Sequence, residues 1–454
     1  MNLTTDAKCF DDGFSIQSDI FRRKPLFEQM KRLILEAPDS NLVFALDDVW
    51  GSGKTSFVKM LHSELRIHNK DEIDVIYFDA FENDYQSDPF ISISSELYAL
   101  LKSKGVGADD VAKNVLKTAS KIGVRVFSGG AKIAISALTA GVVSGTMLEN
   151  AGNLISESVN SEIESFVESK IKNMNEEKKA IVDFKTALES IYSDTGRKTL
   201  IIIDEMDRAR PDYSLELLEK IKHLFSVKGL VFFLVMNREQ FEKGIAYRYG
   251  DINTTLYLNK FIHYWFSLPK IKSYDFPHVH NNMSTTISDY MARLLRENNS
   301  LGISYNGAFA KCISLLLEVN GCSFREAERC MSTMLVVENH ERIAINDDIS
   351  YMTALALVSF LKVVNPSILT KILRKEEDSR TILEKLNIRE NSRNDNTGAR
   401  LLFNLLDYHY RDEDDIKILR EKKDPLIESV EGRWGEQTFH ILDIANSLDT
   451  LNIQ

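Results

Sequence analysis

Leu42-Val43-Phe44-Ala45-Leu46-Asp47-Asp48-Val49-Trp50-Gly51-Ser52-Gly53-Lys54-Thr55-Ser56-Phe57 is the stretch on which the reading of this chain turns. It opens with an apolar run suited to a buried strand, continues through two closely spaced glycines, and passes into the helix-like Phe57-Val58-Lys59-Met60-Leu61. Strand, glycine-bearing loop and helix in that order predict a loop that wraps a nucleoside triphosphate. Gly51 and Gly53 let backbone N–H groups close on phosphate oxygens at the helix N-terminus without Cβ obstruction. Trp50, Gly51, Ser52, Gly53, Lys54, Thr55 and Ser56 are the predicted cradle. Lys54 would reach the β- and γ-phosphates, and the Thr55 hydroxyl would ligate Mg²⁺. One position departs from the usual pattern: Asp48 stands where glycine ordinarily opens the loop. It is expected to distort the loop or weaken binding.

Hydrolysis requires an acidic partner at the end of a second buried strand. The continuous run Thr199-Leu200-Ile201-Ile202-Ile203 suits a parallel strand buried on both faces, and it ends in Asp204-Glu205-Met206-Asp207-Arg208. Asp204 is placed to hold Mg²⁺ through water, and Glu205 to orient or deprotonate the attacking water. The competing reading is a solvated helix start, because acids favour helix N-termini. Leu230-Val231-Phe232-Phe233-Leu234-Val235-Met236 predicts a third strand ending at Asn237. That side chain is either a sensor of the γ-phosphate or the cap of the next helix. The stretch from Val75 to Glu82 predicts a fourth strand, its acids near the same carboxyl ends where open α/β sheets bind ligands. His62, the histidine nearest the glycine loop, is expected to be exposed and not a catalytic base.

These segments together resemble the KAP family of P-loop NTPases: WGSGKTSF at 50–57, YFDAFENDYQSDPF at 77–90, IIIDEMDRARPD at 201–212, FFLVMN at 232–237 and YLNKFIHYWFSLP at 257–269. The resemblance takes in Asp19-Ile20-Phe21-Arg22-Arg23 as a lead-in segment and Phe324-Arg325-Glu326-Ala327-Glu328-Arg329 as the arginine-bearing helix of a lid. The chain differs from the family pattern at Glu205, Met206, Asp79 and Phe81, where that pattern has Asp, Leu, Asn and Trp. The resemblance implies an ATPase with Mg²⁺, in which Lys54 and Thr55 serve the phosphates, Asp204 the metal, Glu205 the water and Asn237 the sensor role. Arg208 and Arg325 are then candidate cations for the transition state, in cis or toward a neighbouring subunit; an arginine paired to a nearby acid would instead be structural.

At 454 residues the chain exceeds what one hydrophobic core usually organises. The expected fold is α/β: a P-loop NTPase with a mainly parallel central sheet, a large helical insertion between the glycine loop and the acidic strand, and a C-terminal helical lid. The expected units are residues 1–91 and 196–270 for the core, 92–195 for the insertion, 271–375 for the lid and 376–454 for a C-terminal helical region. Helical spacing is read at 94–103, 109–122, 158–192, 286–298, 305–319, 324–338 and 352–363. The uncharged stretch 133–148 is shorter than a spanning helix and rich in small residues, so a packed hairpin or subunit contact is expected rather than a membrane segment.

The net charge of −11 argues against general nucleic-acid binding, and no basic-then-apolar leader opens the chain. Cysteines at 9, 312, 322 and 330 have neither zinc spacing nor a disulfide pattern, which fits thiols in a cytoplasmic protein. Nothing resembles a nuclease, protease or deaminase site, so a homo-oligomer acting with a separate effector protein is expected. By the family resemblance this would be an ATPase controlling that effector, in bacterial anti-phage defence. The alternative is a nucleotide-gated scaffold that binds ATP with little hydrolysis; a nucleic-acid motor has less support.

Overall fold

The computed structural model describes residues 10–36, 42–86, 88–103, 179–190, 192–223, 225–270, 286–298, 307–337, 348–431 and 440–448. Strands β1 (Leu42–Asp47), β2 (Ile73–Asp79), β3 (Lys198–Asp204), β4 (Leu230–Met236) and β5 (Tyr264–Phe266) form one sheet in the order β2-β3-β4-β1-β5. Every pairing is parallel. β3 and β4 are buried at every position, the pattern that continuous Ile, Leu, Val and Phe runs require when both faces of a sheet are covered.

Strand alternation sends successive side chains into two separate cores. Ile201, Ile203, Phe232 and Leu234 face helices Pro89–Ser103, Pro211–His223 and Arg238–Tyr249. Leu200, Ile202, Val231 and Phe233 face helices Lys24–Glu36 and Lys54–His68. The expected strand over 75–82 stops earlier, at Asp79, whose Oδ1 accepts the Glu82 N–H at 2.9 Å and caps the short helix Ala80–Asn83. A side chain that satisfies a helix N–H competes with strand continuation.

β4 lies between the strand that leads into the glycine loop and the strand that ends in Asp204. Register aligns Asp47 with Met236 and Asp79 with Asp204, so the loop after β1 and the acids after β2 and β3 share one edge of the sheet.

The C-terminal helices form a third core, with buried members from Ile287 to Leu448 on both sides of residue 375, while Tyr408, Ile416, Leu426 and Val430 make a small separate cluster. Its centre is helix Ile349–Val364, buried at every position from Thr353 to Leu361 and packed by helices Ala308–Val319, Phe324–Val337, Thr397–Tyr410 and His440–Ser447. A helix apolar on all sides needs such a jacket. Ile20, Phe21 and Phe324 pack against this core from the side of the sheet domain.

Of the expected insertion, 92–103 and 179–190 are helical; the helix expected at 109–122, the stretch 133–148 and most of the helix expected at 158–192 lie outside the described residues. No described helix is long and apolar enough to cross a membrane. Cys312, Cys322 and Cys330 are free thiols, and burial pushes the first two up to about 12; Cys9 lies outside the described residues.

Candidate active site

The backbone of the loop after β1 turns through left-handed conformations at Gly51 (φ 75°) and Gly53 (φ 85°), where side chains cost energy. Space is also short. A Cβ on Gly51 would stand 2.9 Å from Ser323 Oγ, and one on Gly53 would stand 3.1 Å from an Arg23 nitrogen. The loop thus lies between a helix of the C-terminal core and the segment leading into Lys24–Glu36. Phe324 N–H donates to the Gly51 carbonyl at 3.0 Å, tying that helix start to the loop.

The loop opens on a cavity of about 430 Å³. Trp50, Gly51, Gly53, Lys54, Thr55, Ser56, Asp204, Glu205, Arg208 and Arg325 line it, so ten site residues expected from sequence come together although 275 positions separate the first from the last. Lys54 Nζ donates to the Asp48 carbonyl at 2.6 Å and to that of Val49 at 3.2 Å, and burial lowers its pKa. The Asp48 carboxylate does not obstruct the loop. It turns away to pair with Lys270 Nζ at 2.7 Å and to accept the Val49 N–H at 2.8 Å. Distortion by Asp48 is therefore absent; its charge is absorbed by a lysine that follows β5.

Asp204 is 1 % exposed. Its Oδ1 accepts the Glu205 N–H at 2.8 Å, its Oδ2 accepts the Tyr77 hydroxyl at 3.1 Å, and the Thr55 hydroxyl also reaches it. Burial, with a smaller push from Glu205, raises its pKa to about 6 despite these donors. A buried carboxylate short of positive charge, beside a hydroxyl at a phosphate loop, fits a divalent cation, which would restore the ionised form. No trio of His, Cys, Asp or Glu among the described residues could cage an ion alone.

Glu205 adopts φ 57°, a left-handed conformation uncommon for a residue with a Cβ. Such strain, on the order of 1–3 kcal/mol, collects at functional positions. Here it turns the chain out of β3 and brings the Glu205 side chain to the cavity. Burial raises its pKa, while Arg208, whose Nη1 donates to Oε2 at 2.8 Å, opposes the rise. Trp50 Nε1 donates to Asp207, fastening the glycine loop to the turn after β3. Arg325 has no hydrogen-bond or ion-pair partner among the described residues, unlike Arg208.

Two expected residues do not line the cavity. Asn237 caps helix Arg238–Tyr249, its Oδ1 accepting the Gln240 N–H at 3.3 Å. Ser52 instead lines a second cavity of about 330 Å³ together with Val49, Lys270 and Cys322, and its Oγ is buried with no hydrogen-bond partner among the described residues. His62 is half-buried rather than exposed: it packs on Tyr77, and burial lowers its pKa to about 4, so the ring is neutral at pH 7.

Sequence reading missed Tyr77, Lys270 and the guanidinium of Arg23, all distant in the chain from what they touch. Tyr77 does carry a signal in hindsight: a phenol at a partly buried position one strand away from Asp204, two residues before the strand end.

The sheet order, the glycine loop and the buried acid at the neighbouring strand ends define a P-loop protein of the nucleoside-triphosphate-binding class. The chain belongs to the KAP family: the KAP family P-loop domain matches residues 23–310, more than half of its length. No curated protein matches it. Among solved structures, the Aeropyrum pernix ORC2 protein, described as ADPNP-ADP complexes, is similar at 13% identity with a TM-score of 0.33, over 89% of this chain and 86% of that one.

Proposed function

We propose that this KAP-family chain binds ATP with Mg²⁺ and hydrolyses it, and that the cycle controls a partner effector. The observation that carries the reading is the convergence of Lys54, Thr55, Asp204 and Glu205 on one cavity to which the C-terminal helices contribute Arg325. Lys54 and the loop N–H groups hold the phosphates. Thr55 and Asp204 hold Mg²⁺, which supplies charge neutralisation of the phosphoryl oxygens. Glu205 takes the proton of the attacking water, and Arg325 stabilises developing charge. Because Phe324 and Ser323 touch Gly51, a change in loop occupancy reaches the C-terminal core directly, which supports a lid role for its helices. From the family resemblance we propose a role in bacterial anti-phage defence; the cysteine usage supports a cytoplasmic location, and the lack of any effector-type motif in the sequence supports a homo-oligomer acting with a separate effector.

A second reading, a nucleotide-gated scaffold with little turnover, is favoured by the Glu205–Arg208 pair, which occupies the carboxylate that would activate water. Phosphate release and nucleotide binding measured in the same samples, with ATP and GTP compared, separate the two. Steady turnover of ATP supports the enzyme; tight binding with no release supports the scaffold.

Within this reading Tyr77 positions Asp204. Tyr77→Phe is expected to raise the Mg²⁺ concentration for half-maximal ATP binding by about 10-fold, the usual effect of losing a partner of a metal ligand. A titration of Mg²⁺ against bound nucleotide checks it, and an unchanged midpoint would show that the phenol only packs.

A further inference from the structure

Arg23 is 1 % exposed and lies beside the glycine loop, at the wall of the same cavity. Its Nη2 donates to the Ser52 carbonyl at 3.2 Å and its Nη1 to the Gly53 carbonyl at a longer 3.5 Å. The guanidinium also lies over the Phe21 ring, 4.7 Å from its centroid, and 5.9 Å from that of Phe324. Its Nε is buried without a partner.

No carboxylate among the described residues forms an ion pair with Arg23. Asp19, close in sequence, spends its oxygens on the backbone N–H groups of Arg23 and Lys24, at 2.7 Å and 2.8 Å, at the start of helix Lys24–Glu36. Asp48 gives its carboxylate to Lys270. Burial lowers the Arg23 pKa, to about 10, against the opposing charges of Asp48 and Asp19, and leaves it charged at neutral pH. A buried charge without a close counter-charge is costly in isolation.

The two carbonyls explain its place. In a trans peptide the C=O and the N–H of the following residue point to opposite sides. A cation that holds the Ser52 oxygen on one side turns the Gly53 N–H group toward the other, where phosphate oxygens bind, while it shares the Gly53 oxygen with the Phe57 N–H, which donates to that oxygen at 3.1 Å. The positive charge beside the loop adds to the attraction of its N–H groups for an anion.

We propose that Arg23 is a positioning residue that orients the N–H groups of the glycine loop and supplies a second layer of positive charge for the β- and γ-phosphates of the bound nucleotide. The inference rests on the nucleotide reading of the cavity. It also accounts for Gly53, where any Cβ would meet the Arg23 nitrogen.

The test is the ratio of ADP to adenosine affinity, measured on the full chain without Mg²⁺ by competition with a fluorescent ADP analogue, alongside the melting temperature of the nucleotide-free protein. Arg23→Met keeps length and removes charge and donors. It is expected to weaken ADP by about tenfold or more, the scale of a charge-assisted bond lost, with adenosine affinity unchanged. The melting temperature should hold or rise, because an unpaired buried charge is gone. Arg23→Gln, which keeps one donor group, serves if the methionine variant does not fold, and is expected to lower the same ratio. An unchanged ratio in the folded variant overturns the proposal. So does an equal loss of ADP and adenosine affinity with a lower melting temperature, which is the signature of a packing role. Wild-type protein that binds neither ADP nor ATP would instead overturn the nucleotide reading itself.

Discussion

Glu205→Gln is expected to lower ATP turnover by about 10²–10⁴-fold while ATP affinity stays within about twofold of wild type, the range lost when a positioned general base is removed. Glutamine preserves the length of the side chain and its reach into the cavity, but it cannot accept the proton of water. It also leaves the left-handed backbone at 205 as it is, so the loss cannot be assigned to a rearranged turn. Removing a negative charge beside the phosphates should if anything favour binding. Phosphate release and equilibrium ATP binding, measured together, read both effects. A variant that turns over at wild-type rate would transfer the base role to another acid near Glu205, and Asp79 and Asp207 are the two whose charges it feels.

Arg325→Ala is expected to reduce turnover by about 10³-fold, with a smaller change in ATP affinity, the magnitude typical of an arginine that stabilises developing phosphoryl charge. The contrast with Arg208 follows from their partners. Arg325 has none among the described residues and reaches the cavity from the C-terminal core, whereas Arg208 already holds Glu205. Arg208→Ala should therefore act through Glu205. Arg208 lowers the Glu205 pKa against the raising effect of burial, so its loss lets that pKa rise further. Activity that needs the carboxylate is then lost at a higher pH on acidification, and the acidic limb of the pH–rate profile moves up. Single-turnover rates across pH for the two variants check the assignment. Equal losses with an unmoved acidic limb would mean that Arg208 works on the phosphates directly.

Tyr77→Phe and Arg23→Met probe the layer behind these groups, and both are read by binding rather than by rate. Together with the two catalytic variants they separate what touches the nucleotide from what holds those contacts in place. The distinction matters because Asp204 and the glycine loop each accept a hydrogen bond from a side chain elsewhere in the chain that does not itself contact the phosphates in this reading.

The amino-acid sequence by itself determined the elements and their chemistry. β3 and β4 stand where the apolar runs at 199–203 and 230–236 put them, and the loop at 50–56 follows its strand and opens its helix, because burial on both faces and left-handed glycines are local demands. Lys54, Thr55, Asp204 and Glu205 were legible for the same reason: each follows a strand end, and in a parallel sheet strand ends share an edge. The partners of those groups were decided only by the tertiary structure. Tyr77 on Asp204, Lys270 on Asp48, Arg23 on Ser52 and Trp50 on Asp207 join positions from 29 to 222 residues apart. Periodicity carries no information at that range. The Asn237 cap and the Glu205–Arg208 pair are local, each joining residues three apart, whereas the contact of the C-terminal core with the loop at Gly51 is again tertiary. Such contacts arise from packing between elements, and packing is where residues distant in the chain first come within bonding distance.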